Sequence, residues 1–395
     1  MMIHQQMRLH CSEYDCGTLP VAVNIAHFQG ASGVDEYHLM AQPTAYADIA
    51  TQTAWLRSAY QQACMAQGLD ADTAVFRRFF CSDLSNQNAL VDALSDAGDA
   101  CALSWVCQPP LPPAKIALWA YHLRLPEGKL VKQQEGAWLS VQRGALSHHW
   151  TTGLTCPAGQ SSLRQTEGIL GRYDGGLHAR GMTLANDVLR TWFFVRDVDV
   201  HYQGLVTARK EFFAKRGLTA ETHYIASTGI EGRSVDIDAG VMMDAYAIAG
   251  VRREQIRYLA APTHLCPTHC YGVTFERGVA VAYQDRTHVM ISGTASINAA
   301  GQILHAGNVE KQLERTLENI HALLQQAGAD FPDVGMCIVY VRDPSDLHLI
   351  HDRMRERFAA MPVQVVLAPV CRPGWLVEVE CQAIIPTASP QFPAF

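Results

Sequence analysis

The most regular hydrophobic pattern lies toward the end of the chain. Leu313, Leu317, Ile320 and Leu324 recur at helical spacing, and the run that starts at Val309 stops at Gly328, a natural helix terminator. The spacing predicts a helix over 309–328, then an apolar strand over 334–341. Asp343-Pro344-Ser345-Asp346 marks a turn and the start of a second helix over 347–358. Strands over 363–368 and 375–385 complete the pattern.

The first third repeats this plan. Gln52 and Gly68 bracket a helix with the same separation as Gln312 and Gly328, and Asp83 follows Gly68 as Asp343 follows Gly328. A strand over 74–81, a helix over 86–94 and paired strands over 101–107 and 116–125 follow in the same order. The middle is looser. It predicts a strand over 188–195, an amphipathic helix over 200–216 carrying Leu205, Phe212 and Phe213, and a strand over 223–227. A Gly-rich turn over 227–232 and a strand over 241–249 follow, so this region reads as a shortened third copy. Parallel neighbours need helical crossovers, which makes each unit α+β with helices packed on one face of a mixed sheet. Gly, Pro and polar clusters place the units at 1–150, 151–280 and 281–395.

The last strand carries chemistry. Glu378 and Glu380 fall on one face and Val377 and Val379 on the other. A carboxyl held in a β-core is costly unless it is paired or neutral, and a neutral one suits general-acid work. The alternative is an edge strand with solvated glutamates.

Composition narrows the classes. A net charge of −7 with scattered Lys and Arg argues against a nucleic-acid surface, yet leaves room for a small anion held by a few arginines. No apolar run reaches membrane-spanning length. Residues 1–16 lack an apolar core flanked by positive charge, so no signal peptide is expected. The 12 cysteines are irregularly spaced, and several sit in apolar strands as small hydrophobes. A cytoplasmic protein with reduced thiols is expected. His264, Cys266, His269 and Cys270 match no closed metal-ligand spacing, and no metal or cofactor is expected. Walker, dinucleotide and Gly-x-Ser-x-Gly motifs are absent.

The final unit resembles the RidA/YjgF family, small α+β proteins that assemble as trimers with clefts between subunits. From about residue 180 onward the chain looks more specifically like the chorismatases, built on a RidA-like pseudo-trimer. The likeness rests on Ala226-Ser227-Thr228-Gly229-Ile230, on Tyr271-Gly272 with Phe275-Glu276-Arg277, and on the segment from Ile291 to Ile297. It rests also on His305-Ala306-Gly307-Asn308-Val309 with Gln312, Thr316, Asn319 and Ile320, and on Cys371-Arg372 through Glu380. Two departures stand out: Asn308 replaces the usual acid, and 263–270 is rich in His and Cys.

The resemblance implies cleavage of chorismate, with release of pyruvate from its enol ether, in a monomeric pseudo-trimer or a dimer. Glu378 then matches the catalytic acid, and Cys371 a pocket cysteine of the 3-hydroxybenzoate-forming type. Arg277, Arg372 and Arg209 would hold carboxylates, with Tyr271 hydrogen-bonding one and the Thr228-Gly229 turn close to the ring. The plain alternative for each Arg is a surface ion pair, for Tyr271 a core position, and for Cys371 a buried inert thiol. Two other functions stay open: a RidA-like enamine/imine hydrolase using Arg372, and a non-catalytic scaffold that binds a small metabolite.

Overall fold

The computed structural model describes residues 9–94, 100–156 and 160–395. The expectation for 1–16 therefore lies largely outside the described residues. Three sheets of six strands each are present. The first unit holds β1 (Leu9–Tyr14), β2 (Val21–Phe28), β3 (Asp35–Pro43), α1 (Ile49–Ala66), β4 (Ala74–Cys81), α2 (Leu84–Leu94), β5 (Ala102–Cys107) and β6 (Ile116–Arg124). The second holds β7 (Val131–Glu135), β8 (Trp138–Arg143), β9 (Leu146–Leu154), α3 (Ser162–His178), the short α4 (Leu184–Asp187), β10 (Val188–Val195), α5 (Val198–Ala214), β11 (Ala226–Glu231) and β12 (Val241–Ala249). The third holds β13 (Ile256–Leu259), β14 (Gly278–Ala282), β15 (Arg286–Ala295), α6 (Val309–Ala327), β16 (Val334–Val341), α7 (Leu347–Arg357), β17 (Val363–Leu367) and β18 (Val377–Pro386).

All three sheets share one strand order: β1-β2-β3-β6-β4-β5, β7-β8-β9-β12-β10-β11 and β13-β14-β15-β18-β16-β17. In each, one parallel pair is bridged by a helix: β4 with β5, β10 with β11, β16 with β17. A register shift recurs at one place, between Ala74 and Phe76, Val188 and Arg190, and Val334 and Met336. This is a RidA/YjgF-like pseudo-trimer in one chain. The middle copy is complete rather than shortened, because β7, β8 and β9 belong to it. The cuts expected at 150 and 280 fall inside β9 and β14. The sheets divide instead at 125–130 and 250–255.

Each main helix is anchored by one buried glutamine, which explains the repeated Gln. Gln312 donates to His305 O and Gly374 O and accepts from Leu376 N. Gln52 donates to Ala45 O and Pro113 O and accepts from Lys115 N. Gln165 donates to Gln160 O and accepts from Gly240 N and Val241 N. The amide clamps the helix start to the loop entering its neighbouring strand, and satisfies backbone groups that would otherwise be orphaned. Asn308, the departure noted above, caps α6 by accepting from Lys311 N at 2.9 Å. Gly328 ends α6 at φ 83°.

The three sheets share one buried cluster, to which Phe76, Trp192 and Tyr340 belong. Phe76 and Trp150 lie 4.9 Å apart, centroid to centroid, and Trp150 stacks on Trp192 at 6.5 Å. A buried ion pair crosses each junction. Arg78 meets Asp244 between units one and two, Arg190 meets Glu380 between two and three, and Arg286 meets Glu36 between three and one. No helix among the described residues is long and apolar enough to cross a membrane.

Candidate active site

β18 lies between β15 and β16, with both edges hydrogen-bonded, so its glutamates cannot be solvated edge residues. Glu378 and Glu380 are 5% and 2% exposed. Both face unit two, with opposite fates. Glu380 is fully partnered: Arg190 Nη2 at 2.6 Å, Trp192 Nε1 at 2.9 Å and the Thr228 hydroxyl. Glu378 has no hydrogen bond among the described residues. Burial, reinforced by the neighbouring Glu380 charge, raises its pKa to about 8 against the pull of Arg277 and Arg190. It is thus mostly a neutral acid near pH 7. Position 378 is special to this unit. Glu378 pairs with Tyr340, and the equivalent partners of Phe80 and Phe194 are Ala117 and Met242.

The Glu378 carboxyl rests against the backbone of Gly293. A Cβ there would stand 2.1 Å from Glu378 Oε1, so any side chain at 293 would displace the carboxyl. The register shift in β15 between Ile291 and Thr294 brings this stretch under the acid.

Glu378 opens into a cavity between units two and three with about 470 Å³ of unfilled space, its mouth included. Arg209, Gly229, Tyr271, Arg277, Cys371 and Arg372 line it with Glu378. Seven of the eight residues singled out from sequence therefore converge. Thr228 does not: its hydroxyl sits behind the wall, donating to Glu380 and accepting from Arg190 Nη2 and Gly293 N. The Thr228-Gly229 segment is also no turn. It runs within β11, parallel to β10, with Gly229 opposite Phe193. The Tyr202 ring comes within 3.1 Å of where a Cβ would be, so a larger residue there would press on that ring. Tyr202, Ser227, Phe275 and Trp375 also line the cavity and are not among those eight. Tyr202 carries a signal that could find it, since it shares a face of α5 with Leu205 and Arg209.

The arginines are not surface ion pairs. Arg209 is 1% exposed and Arg277 5% exposed, and neither pairs with a carboxylate among the described residues. Arg209 leans on weak bonds to Thr274 and Ser227, and its Nη2 has no partner. Arg277 donates to Cys266 O at 3.0 Å from the His/Cys-rich segment, while its Nε has none. Arg277 stacks on Tyr271 and Phe275, and Arg372 on Tyr271 and Trp375. Buried cations with idle donors call for an anion. Cys371 is pushed up to about 12 by burial and by Glu378, so it stays a thiol near neutral pH.

The neutral acid has a consequence for stability. Glu378 binds a proton in the folded protein that the unfolded chain releases, between its ordinary 4.5 and about 8. Its contribution is full below pH 4.5 and lost as pH rises through 8. Thermal melts should therefore show wild type losing stability relative to Glu378→Gln from pH 5 to 9. A pH-independent difference would mean that Glu378 is ionised throughout.

Residues 278–385 match the endoribonuclease L-PSP family. Over 102 residues, 25% of this chain and 74% of the relative, the chain is 30% identical to 2-iminobutanoate/2-iminopropanoate deaminase of Bos taurus. Over 88 residues, 22% of this chain and 68% of the relative, it is 32% identical to a RutC family protein of Synechocystis sp.. The chain belongs to the endoribonuclease L-PSP family. A chorismatase crystal structure aligns with 79% of this chain and 93% of its own at TM-score 0.62 and 18% identity, so the shared fold extends well beyond the L-PSP segment. That segment supplies Glu378, Cys371 and Arg372, whereas Arg209 and Tyr202 come from unit two. In this chain the L-PSP unit forms only one wall of the cavity.

Proposed function

We propose that the chain cleaves the enolpyruvyl ether of chorismate, giving pyruvate and a hydroxybenzoate, with 3-hydroxybenzoate favoured. One observation carries this reading: Glu378, with no hydrogen bond among the described residues, lines one cavity with arginines that pair with no carboxylate among them. Chorismate brings two carboxylates, an enol ether and an apolar ring. Arg277 and Arg372, with Arg209 behind them, take the carboxylates. Glu378 gives its proton to the terminal methylene carbon, and the ether oxygen stabilises the resulting oxocarbenium ion. The bond between ring carbon and ether oxygen then breaks with pyruvate as the leaving group. The neighbouring ring hydroxyl moves onto the vacated carbon, and that carbon loses its hydrogen as a proton, which returns to the Glu378 carboxylate as the ring aromatises. Pyruvate and 3-hydroxybenzoate together account for every atom of chorismate. One chain supplies all three units, so a single chain, alone or within a dimer, completes the site.

The test is incubation with chorismate, following pyruvate and aromatic absorbance together. The relatives' deaminase name motivates a second assay, ammonia release from 2-iminopropanoate, in which Arg372 would hold the carboxylate. Turnover only in that assay moves the function to imine hydrolysis, and silence in both leaves a metabolite-binding scaffold.

Two further outcomes follow. Arg277→Ala should raise KM for chorismate by about ten- to a hundredfold, the loss of a charge-assisted bond of about 1.5–3 kcal/mol. An unchanged KM would return Arg277 to a structural role. Cys371→Ala should change the ratio of products more than the total rate, because the thiol shapes the ring pocket. Chromatography of the products decides, and an unchanged profile makes Cys371 a packing residue.

A further inference from the structure

A second hollow, larger than the cavity at Glu378, lies inside unit one between α1 and its sheet. It holds about 1010 Å³ of unfilled space, mouth included. Leu56, Leu69, Phe79 and Leu118 give it apolar walls, and Arg77, Tyr60 and His122 also line it.

The matching place in unit three has about 210 Å³ and is closed by Ile320, Phe331, Cys337 and Phe358. The constant offset that relates Gln52 to Gln312 relates Tyr60 to Ile320, Ala71 to Phe331 and Arg77 to Cys337. Where one copy of the fold packs Phe331 among apolar groups, the other has Ala71 and a polar floor. A void of this kind forfeits packing energy, so retaining it needs a compensating occupant or role.

The floor is a directed chain of hydrogen bonds. Thr73 donates its hydroxyl to Asp70 O at 2.8 Å, so His122 Nδ1, 2.9 Å away, carries the proton between them. His122 Nε2 is then an acceptor and takes the Tyr60 hydroxyl at 2.6 Å. The Tyr60 oxygen in turn accepts from Arg77 Nε at 3.0 Å. Burial pulls His122 down to about 3, consistent with a neutral ring. The chain therefore ends on Arg77, which is 8% exposed. Its two terminal nitrogens have no hydrogen bond, and no carboxylate pairs with it, among the described residues. A buried guanidinium with its fork free, at the floor of an apolar hollow, presents the geometry that binds a carboxylate in two-point fashion.

We propose that this hollow is a second ligand site, for a small organic acid with an apolar body, its carboxylate on Arg77 and its hydrocarbon among Leu56, Leu69, Phe79 and Leu118. The site is separate from the cavity at Glu378, which draws on units two and three only.

The experiment is calorimetric titration of benzoate and hexanoate into the full chain carrying Arg277→Ala, so that the other arginine-lined cavity is weakened. One acid should bind saturably, and benzamide should bind at least about tenfold more weakly. Adding Arg77→Met should cost at least about tenfold in affinity. Adding Ala71→Phe, which restores the bulk found in unit three, should block binding without removing the charge. Should Arg77→Met fail to fold, Ala71→Phe and the benzamide comparison decide. No saturable binding at millimolar acid, equal affinity for benzamide, or binding indifferent to Ala71→Phe overturns the proposal.

Discussion

Replacing Glu378 by Gln is expected to lower chorismate turnover by about 10²–10⁴-fold, the range that a positioned general acid contributes. The amide has the same shape and fits against the same Gly293 backbone, but it has no acidic proton to give to carbon. Folding should be intact, because Glu378 holds up nothing: no hydrogen bond among the described residues depends on it. The variant should even be more stable than wild type above pH 8, where the native carboxyl ionises in a buried place. Each tenfold gain in proton affinity on folding then costs about 1.4 kcal/mol of stability once the proton is lost. Lost activity with gained alkaline stability is a combination that a damaged fold cannot produce. Steady-state rates and melts on the same preparation test it. A variant that turns over chorismate at the wild-type rate would remove Glu378 from the chemistry. The wild-type rate should also fall as pH rises through 8, since the protonated acid is the active form.

Much of this site is legible in the sequence, and the misses have physical reasons. The strands and helices of units one and three follow from periodicity, because α6 shows its buried Leu313, Leu317, Ile320 and Leu324 on one stripe. The third glutamine clamp, Gln165, is hidden because α3 carries four glycines and a polar sequence that obscures its buried face. β7 to β9 read as part of unit one because only a short link, 125–130, separates them from β6. Ser227-Thr228-Gly229 reads as a turn because glycine usually marks one. Here glycine makes room for Tyr202 instead. Glu378 and Arg277 are legible as a likeness to known motifs, but the convergence of Arg209 with them is a matter of packing between units. Partners nearly 200 positions apart, such as Arg190 and Glu380, leave only one trace in sequence: a charge inside an apolar strand that must find an opposite charge.

That pair supports the second large effect. Arg190→Met should destabilise the protein by about 3–5 kcal/mol, the usual cost of leaving one buried partner of an ion pair alone. Arg190 and Glu380 side chains are 1% and 3% exposed, so water cannot compensate the stranded carboxylate. The Arg also donates to Thr228, which in turn holds Gly293 N, so its loss loosens the wall behind Glu378. The double variant Arg190→Met/Glu380→Gln should recover most of the stability, because the charge that needed a partner has gone while Gln still meets Trp192 and Thr228. Activity should not recover with it. Glu380 raises the Glu378 pKa more than Arg190 lowers it, so removing both still shifts the acid toward its ordinary range. The pH above which turnover falls should therefore be lower in the double variant than in wild type. Urea denaturation of the four proteins of the cycle, with pH–rate profiles for wild type and the double variant, separates the two roles. If Arg190→Met alone melts like wild type, the junction between units two and three does not depend on this pair.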